Sequence, residues 1–212
     1  MWGIDTAADL SNSVSCLQGS TIEGNPISFV IRYYGGAYAM SQSEATALSN
    51  GGFQLMAVWE VGSAASYFTY NQGVSDGEQA FEYADLTIGQ PQYTPVYFAV
   101  DTTAATKTAV ENYFNGVVQG RINYQNALIH QGLTAKTYEI GVYGDNNTLN
   151  WVSSAGLASY FWEMYAPKVD TTKFASDNVW QKSGVTPQLY VCGGAIPVDA
   201  DEAFSTAGFW TI

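Results

Sequence analysis

Four acidic residues each close an apolar, β-prone run: Asp5 in "WGID", Glu60 in "FQLMAVWEV", Asp101 in "PVYFAVD" and Asp199 in "QLYVCGGAIPVD". A carboxylate where a strand leaves a sheet is half-buried, and a buried charge demands a partner or a function. Brought together, like charges raise one another's pKa, which can keep one carboxyl protonated near neutral pH. One protonated and one ionised carboxyl are the working parts of a glycosidase. The same oxygens suit calcium or magnesium, but no CxxC spacing or Cys/His cluster marks a metal site, and no cofactor motif is present. Each acid also has a plainer reading. A lone Asp after a strand is often the N-cap of the next helix, and Arg32 can neutralise one acid by pairing with it.

Around these acids, six residues are candidates to bind substrate. Arg32 and Tyr34 lie in the second apolar run, Tyr143 in the fifth, Trp162 in the sixth, and Trp180 and Gln181 in the seventh. Flat rings stack on the apolar faces of pyranoses, so Tyr34, Tyr143, Trp162 and Trp180 are expected to line sugar subsites. Most of the other rings among the 15 Tyr, 10 Phe and 6 Trp are expected to fill the core. The single histidine, His130, has no obvious partner and reads as a surface residue, which argues against Ser-His-Asp or Cys-His chemistry. Cys16 and Cys192 are too few for a disulfide scaffold. They are either two buried thiols or one disulfide joining the two ends of the chain.

The composition bounds the rest. A chain of 212 residues, 47% hydrophobic and only 12% charged, can bury one sizeable core, so residues 1–212 read as a single domain. With 7 Lys and Arg against 19 Asp and Glu there is no basic stripe, which argues against nucleic acid and against an anionic membrane surface. No run of 18 apolar residues is present to span a membrane. No signal peptide is visible; a leader removed ahead of Met1 is the preferred reading, placing the protein outside the cell or at the cell wall, with a cytoplasmic protein as the alternative. The oligomeric state stays open.

The elements that must position the acids recur with a regular beat. Strand-like runs cover 2–5, 28–34, 53–61, 95–101, 138–144, 160–166 and 178–184, and 188–199 supplies the last one or two. They are near-continuously apolar, as parallel strands covered on both faces are. Helical patterns lie between them, with start signals at Ser41/Glu44, Ser75/Glu78, Thr108/Glu111 and Asp145, and stops at Gly51, Gly89 and Gly156. Residues 119–137 either extend the fourth helix or add another. Alternating strands and helices predict an α/β fold, a compact (β/α)8 TIM-type barrel with an irregular last third. An open doubly wound sheet lacks support, since no GxGxxG or P-loop opens a helix. In a (β/α)8 barrel the C-terminal strand ends share one face, and Asp5, Glu60, Asp101 and Asp199 are expected there.

The motifs "GIDTA", "FVIRYYGG", "VWEVG", "GVSDGEQAFEYADLTIGQP", "VYFAVDTT", "YEIGVYG" and "VDADEA", in that order, resemble the bacterial glycoside-hydrolase-like domain of unknown function. That TIM-barrel family is related to the glycoside hydrolase family 25 muramidases (lysozymes). The resemblance spans about residues 2–204. It implies that Asp5 matches the muramidase acid after the first strand, Asp101 the first acid of their Asp-x-Glu motif, and Asp199 the acid of the last strand. The Glu of that motif, their general acid, falls at position 103, where this chain has Thr103. A threonine cannot serve as a general acid at neutral pH.

The function expected is therefore a glycoside-hydrolase-like protein acting on cell-wall polysaccharide, in particular peptidoglycan. Glu60 takes the role of general acid, Asp101 that of base, nucleophile or stabiliser, and Asp5 and Asp199 tune them. The alternative is a barrel that binds a polysaccharide or peptidoglycan fragment without cleaving it.

Overall fold

The computed structural model describes residues 1–165, 174–183, 187–204 and 207–212. Eight strands close into a barrel: β1 (Trp2–Asp5), β2 (Phe29–Tyr34), β3 (Gln54–Trp59), β4 (Pro95–Ala99), β5 (Glu139–Gly144), β6 (Tyr160–Glu163), β7 (Val179–Gln181) and β8 (Ile196–Ala203). The first seven are parallel neighbours in that order. β8 closes the ring antiparallel to both β7 and β1. The TIM-type barrel expected from the sequence is thus present, with its last strand reversed. The final residues of the runs 160–166 and 178–184 lie outside the described residues.

Reversal changes how Asp199 reaches its place. It does not end its strand, as the sequence reading had it; it sits in the first half of β8, directly opposite Asp5 of β1. Because β8 runs the other way, its beginning meets the face where the parallel strands finish.

Alternation along the strands divides the apolar residues into two cores. Phe29, Ile31, Met56, Val58, Tyr97, Ala99, Tyr143, Trp162 and Val179 fill the barrel. Ile4, Val30, Leu55, Ala57, Val96, Phe98, Ile140 and Val142 point outward against the helices. The bottom of the barrel is plugged by the C-terminal segment. Phe209 packs against Phe29 with ring centroids 4.7 Å apart and planes tilted by 40°, and Trp210 forms an antiparallel bridge with Leu55. The backbone N–H of Ile212 donates to Ser49 Oγ.

The helices are α1 (Val14–Gln18), α2 (Gln42–Asn50), α3 (Tyr70–Glu82), α4 (Lys107–His130) and α5 (Asn146–Ser154). Ser41 and Asp145 cap α2 and α5 by accepting from the amides of Glu44 and Thr148. Two starts differ from the sequence reading. α3 begins five residues before Ser75, capped by Thr69, and α4 is capped by Thr106 rather than Thr108. The early start of α3 brings Gly73 into the helix, where it faces α4. A Cβ there would lie 2.0 Å from Tyr113 O, and one on Gly116 of α4 would lie 2.1 Å from Tyr70 O. Gly77 and Gly120 repeat the close approach one turn on. α4 runs through residue 130, so the stretch after 119 continues the fourth helix. Beyond β6 no described segment forms an α-helix; a short strand, Leu189–Val191, instead pairs with β8.

Cys16 and Cys192 form a disulfide, with Cα atoms 5.5 Å apart and a sequence separation of 176. Of the two sequence alternatives, the bridge is the one present. No helix among the described residues is long and apolar enough to cross a membrane.

Candidate active site

A cavity of about 300 Å³ opens at the C-terminal ends of the parallel strands. Asp5, Glu60, Asp101 and Asp199 all line it, with Tyr33, Tyr143, Trp162, Met164, Tyr165 and Gln181. The acids arrive by the same alternation that fills the barrel. Asp5 follows Gly3 on the inner face of β1, Glu60 follows Met56 and Val58 of β3, and Asp101 follows Tyr97 and Ala99 of β4.

Packing four carboxyls into one small space shifts their ionisation. Burial first, then Asp101 and Asp5, push Glu60 up to about 7. Burial, then Asp5 and Asp101, push Asp199 up to about 7 as well. Asp101 stands at the rim with its outer side exposed, and burial of its inner side raises it. Asp5, only 5% exposed, is raised chiefly by burial, against hydrogen bonds that favour its ionised form.

Beneath the cavity lies a fifth acid, Asp201, which the sequence reading passed over. It is wholly buried, and Trp162 Nε1 donates to its Oδ1 at 2.8 Å. Its Oδ2 has no hydrogen-bond partner among the described residues, and the Asp5 carboxyl lies close enough to act on its charge. Two carboxyls so placed disfavour each other's ionisation. Burial and the Asp5 charge accordingly raise Asp201 well above the ordinary carboxyl range.

Gln181 ties the cluster together. Its Nε2 donates to Asp5 Oδ2 at 2.9 Å and more weakly to Asp199 Oδ2 at 3.4 Å. Its Oε1 accepts from Tyr143 Oη at 2.9 Å and from the Tyr165 amide at 3.1 Å. Tyr143 packs against Trp162 with ring centroids 4.3 Å apart, forming an aromatic wall beside the acids. Among the described residues, no group of three His, Cys, Asp or Glu side chains is spaced to hold a metal ion.

Three of the expected substrate-binding residues lie elsewhere, because their parity turns them outward. Arg32 is 1% exposed and meets α2: its Nε donates to Glu44 Oε1 at 2.7 Å. Its Nη1 donates to Thr6 O, and its Nη2 to Tyr38 O at 3.2 Å. It neutralises Glu44 rather than a cavity acid, and staples the loops after β1 and β2 to α2. Tyr34 is buried under the helices and donates to Gln90 Oε1 at 2.7 Å. Trp180 faces outward from β7, where Lys182 Nζ sits 3.6 Å from its ring centre. Tyr33, one residue from Tyr34, takes the cavity position instead. Thr103 is exposed and does not line the cavity.

A reversed-strand α/β barrel with a carboxyl-lined cavity at the strand ends is the build of a glycoside-hydrolase-like domain. The chain belongs to the Rv2525c-like, glycoside hydrolase-like domain family, whose model matches residues 20–202. It is 28% identical over 168 residues to the uncharacterized protein YbfG of Bacillus subtilis, covering 73% of this chain and 22% of that protein. It is also 28% identical over 136 residues to Rv2525c of Mycobacterium tuberculosis, which bears the name "Putative peptidoglycan hydrolase"; 61% of this chain and 52% of that protein are covered. The chain thus spans about a fifth and about half the length of these two curated relatives. Among solved structures, the Tat-secreted Rv2525c in complex with L-tartrate superposes with a TM-score of 0.70 at 22% identity, over 99% of this chain and 98% of that one. A bacterial lysozyme from Streptomyces coelicolor superposes with a TM-score of 0.58 at 17% identity, over 98% and 93%. At these identities the superpositions establish a common fold.

Proposed function

We propose that this domain hydrolyses a glycosidic bond in cell-wall polysaccharide, with peptidoglycan as the substrate. One observation carries the reading: Glu60, beside Asp101 in a shared cavity, is held at about 7, so it keeps a proton to give near neutral pH while a neighbouring carboxylate is ionised. Glu60 donates that proton to the glycosidic oxygen as the bond breaks. Asp101 acts on the opposite side, as nucleophile or by activating water. Asp199, also at about 7, is the second possible donor and holds negative charge away from Glu60 while protonated. Asp5, held by Gln181, orients the reacting sugar, and Tyr143 and Trp162 form the wall against which it packs.

The name of Rv2525c and the lysozyme fold support a peptidoglycan substrate. A location outside the cytoplasm or at the cell wall is supported by the disulfide, which persists in oxidising compartments. Secretion of Rv2525c points the same way.

The deciding experiment compares wild type with a Glu60→Gln, Asp101→Asn double variant on purified peptidoglycan, following release of reducing ends. Loss of release in the variant is expected; equal release by both would refute the assignment. A second reading, a barrel that holds glycan without cleaving it, is favoured by Thr103 standing where the muramidases carry their acid. It predicts sugar binding by the wild type with no reducing ends released.

A further inference from the structure

A second cavity of about 480 Å³ opens beside the acid cavity, between the ends of β2 and β3 and helix α3. The two cavities share a dividing wall, and alternate residues face opposite ways across it. At the end of β2, Tyr33 lines the acid cavity while Gly35 and Gly36 line the second. At the end of β3, Glu60 lines the acid cavity while its neighbours Trp59 and Val61 line the second. The thickness of one strand end therefore separates the two cavities.

Size makes the crossing relevant. The acid cavity, at about 300 Å³, is at the small end of ligand sites and too small for a polymer. A polysaccharide with one linkage among the acids must run on over adjoining surface.

The chemistry of the second cavity suits a sugar. Trp59 and Tyr83 supply aromatic surface, and Gln72, Gln79 and Glu82 of α3, with Thr87 in the helical turn after it, supply polar groups that can meet hydroxyls. Among the described residues, no lysine or arginine lines it, so nothing there would favour a phosphate or sulfate.

The floor is open by construction. Gly35 and Gly36 have φ of +79° and +67°, and a Cβ on Gly35 would come within 2.9 Å of the Trp59 ring. The adjoining loop is pinned from several sides. Arg32 holds Tyr38 O, Tyr83 Oη donates to Met40 O at 2.8 Å, and the Met40 amide donates to Tyr33 O at 2.8 Å. The cavity is therefore preformed, and a ligand need not order it on binding.

We propose that this cavity is a saccharide subsite that holds the glycan strand beyond the acid cavity, so that the protein engages a chain rather than a single sugar. The proposal rests on the glycan reading of the acid cavity. It is tested in the Glu60→Gln, Asp101→Asn background, so that binding is read without turnover. Calorimetry with chitobiose and chitohexaose, and with solubilised peptidoglycan glycan strands, measures the effect of length. The long ligands should bind about tenfold or more tighter than the disaccharide.

Gln79→Trp, which fills the cavity from an exposed helix position, should abolish that advantage and leave chitobiose affinity unchanged. Thr87→Trp is the second variant should Gln79→Trp lower the melting temperature. Asn126→Trp, on the exposed face of α4, is the control and should change nothing. A length advantage that survives both cavity-filling variants overturns the subsite and leaves the acid-cavity assignment standing. Absence of binding by any of the three sugars overturns both.

Discussion

At the scale of single residues, Glu60 at a strand end and Arg32 within a strand show opposite fates of a charge. Glu60 gains its working ionisation from crowding, which makes its pH dependence predictable. A general acid held at about 7 must be protonated, so hydrolysis should fall as pH rises through about 7. It should fall again on the acid side as Asp101 takes up a proton. Glu60→Gln should lower kcat by roughly 10²- to 10⁴-fold and flatten the alkaline limb. If Asp199→Asn does this and Glu60→Gln does not, Asp199 is the donor. Arg32, by contrast, is consumed by Glu44. Arg32→Met should leave a buried carboxylate unpaired and cost about 3–5 kcal/mol in denaturant unfolding, most of it recovered when Glu44→Met is added. The sequence made the four acids legible because each interrupts an apolar run. It could not separate Tyr33 from Tyr34, or turn Arg32 outward, because strands covered on both faces carry no polarity contrast from which to read parity. Counting by twos from Phe29 and Ile31 would have found Tyr33, and from Asp199 would have found Asp201.

At the scale of elements, the beat of strands and helices was plain from apolar runs, caps and glycine stops. The direction of β8 was not, since a short apolar run reads alike either way. The contact of α3 with α4 also left its mark unread: Gly73 and Gly77, like Gly116 and Gly120, are four apart and share one helix face. Their lack of side chains lets the two backbones touch, which fixes α3 and so one side of the second cavity. Gly116→Ala places a methyl group against Tyr70 O, and unfolding should become easier by about 1–3 kcal/mol or more. Asn126→Ala, on the exposed face of the same helix, should be close to neutral in the same denaturant titration. Equal effects of the two would show that the helices do not depend on this close approach.

At the scale of the whole molecule, the fold joins its beginning to its end twice, through the pairing of β1 with β8 and through the Cys16–Cys192 bridge. By the loss of chain entropy in the unfolded state, closing a loop of this length is worth about 5 kcal/mol to the folded state. Reduction should therefore lower the melting temperature by many degrees, while sugar affinity below the transition stays the same, because neither cysteine lines the acid cavity. A bridge whose reduction left melting unchanged would be ornamental.

The sealing of the barrel floor has a consequence of another kind. Met1 lies beside Ala203, and Trp210 and Ile212 are fastened to Leu55 and Ser49, so both ends of the chain leave from the side opposite the acids. Fusion partners, affinity tags or a tether to a solid support can be joined at either end and still leave the mouth facing free solution. The barrel is built as a cartridge that can be mounted from behind.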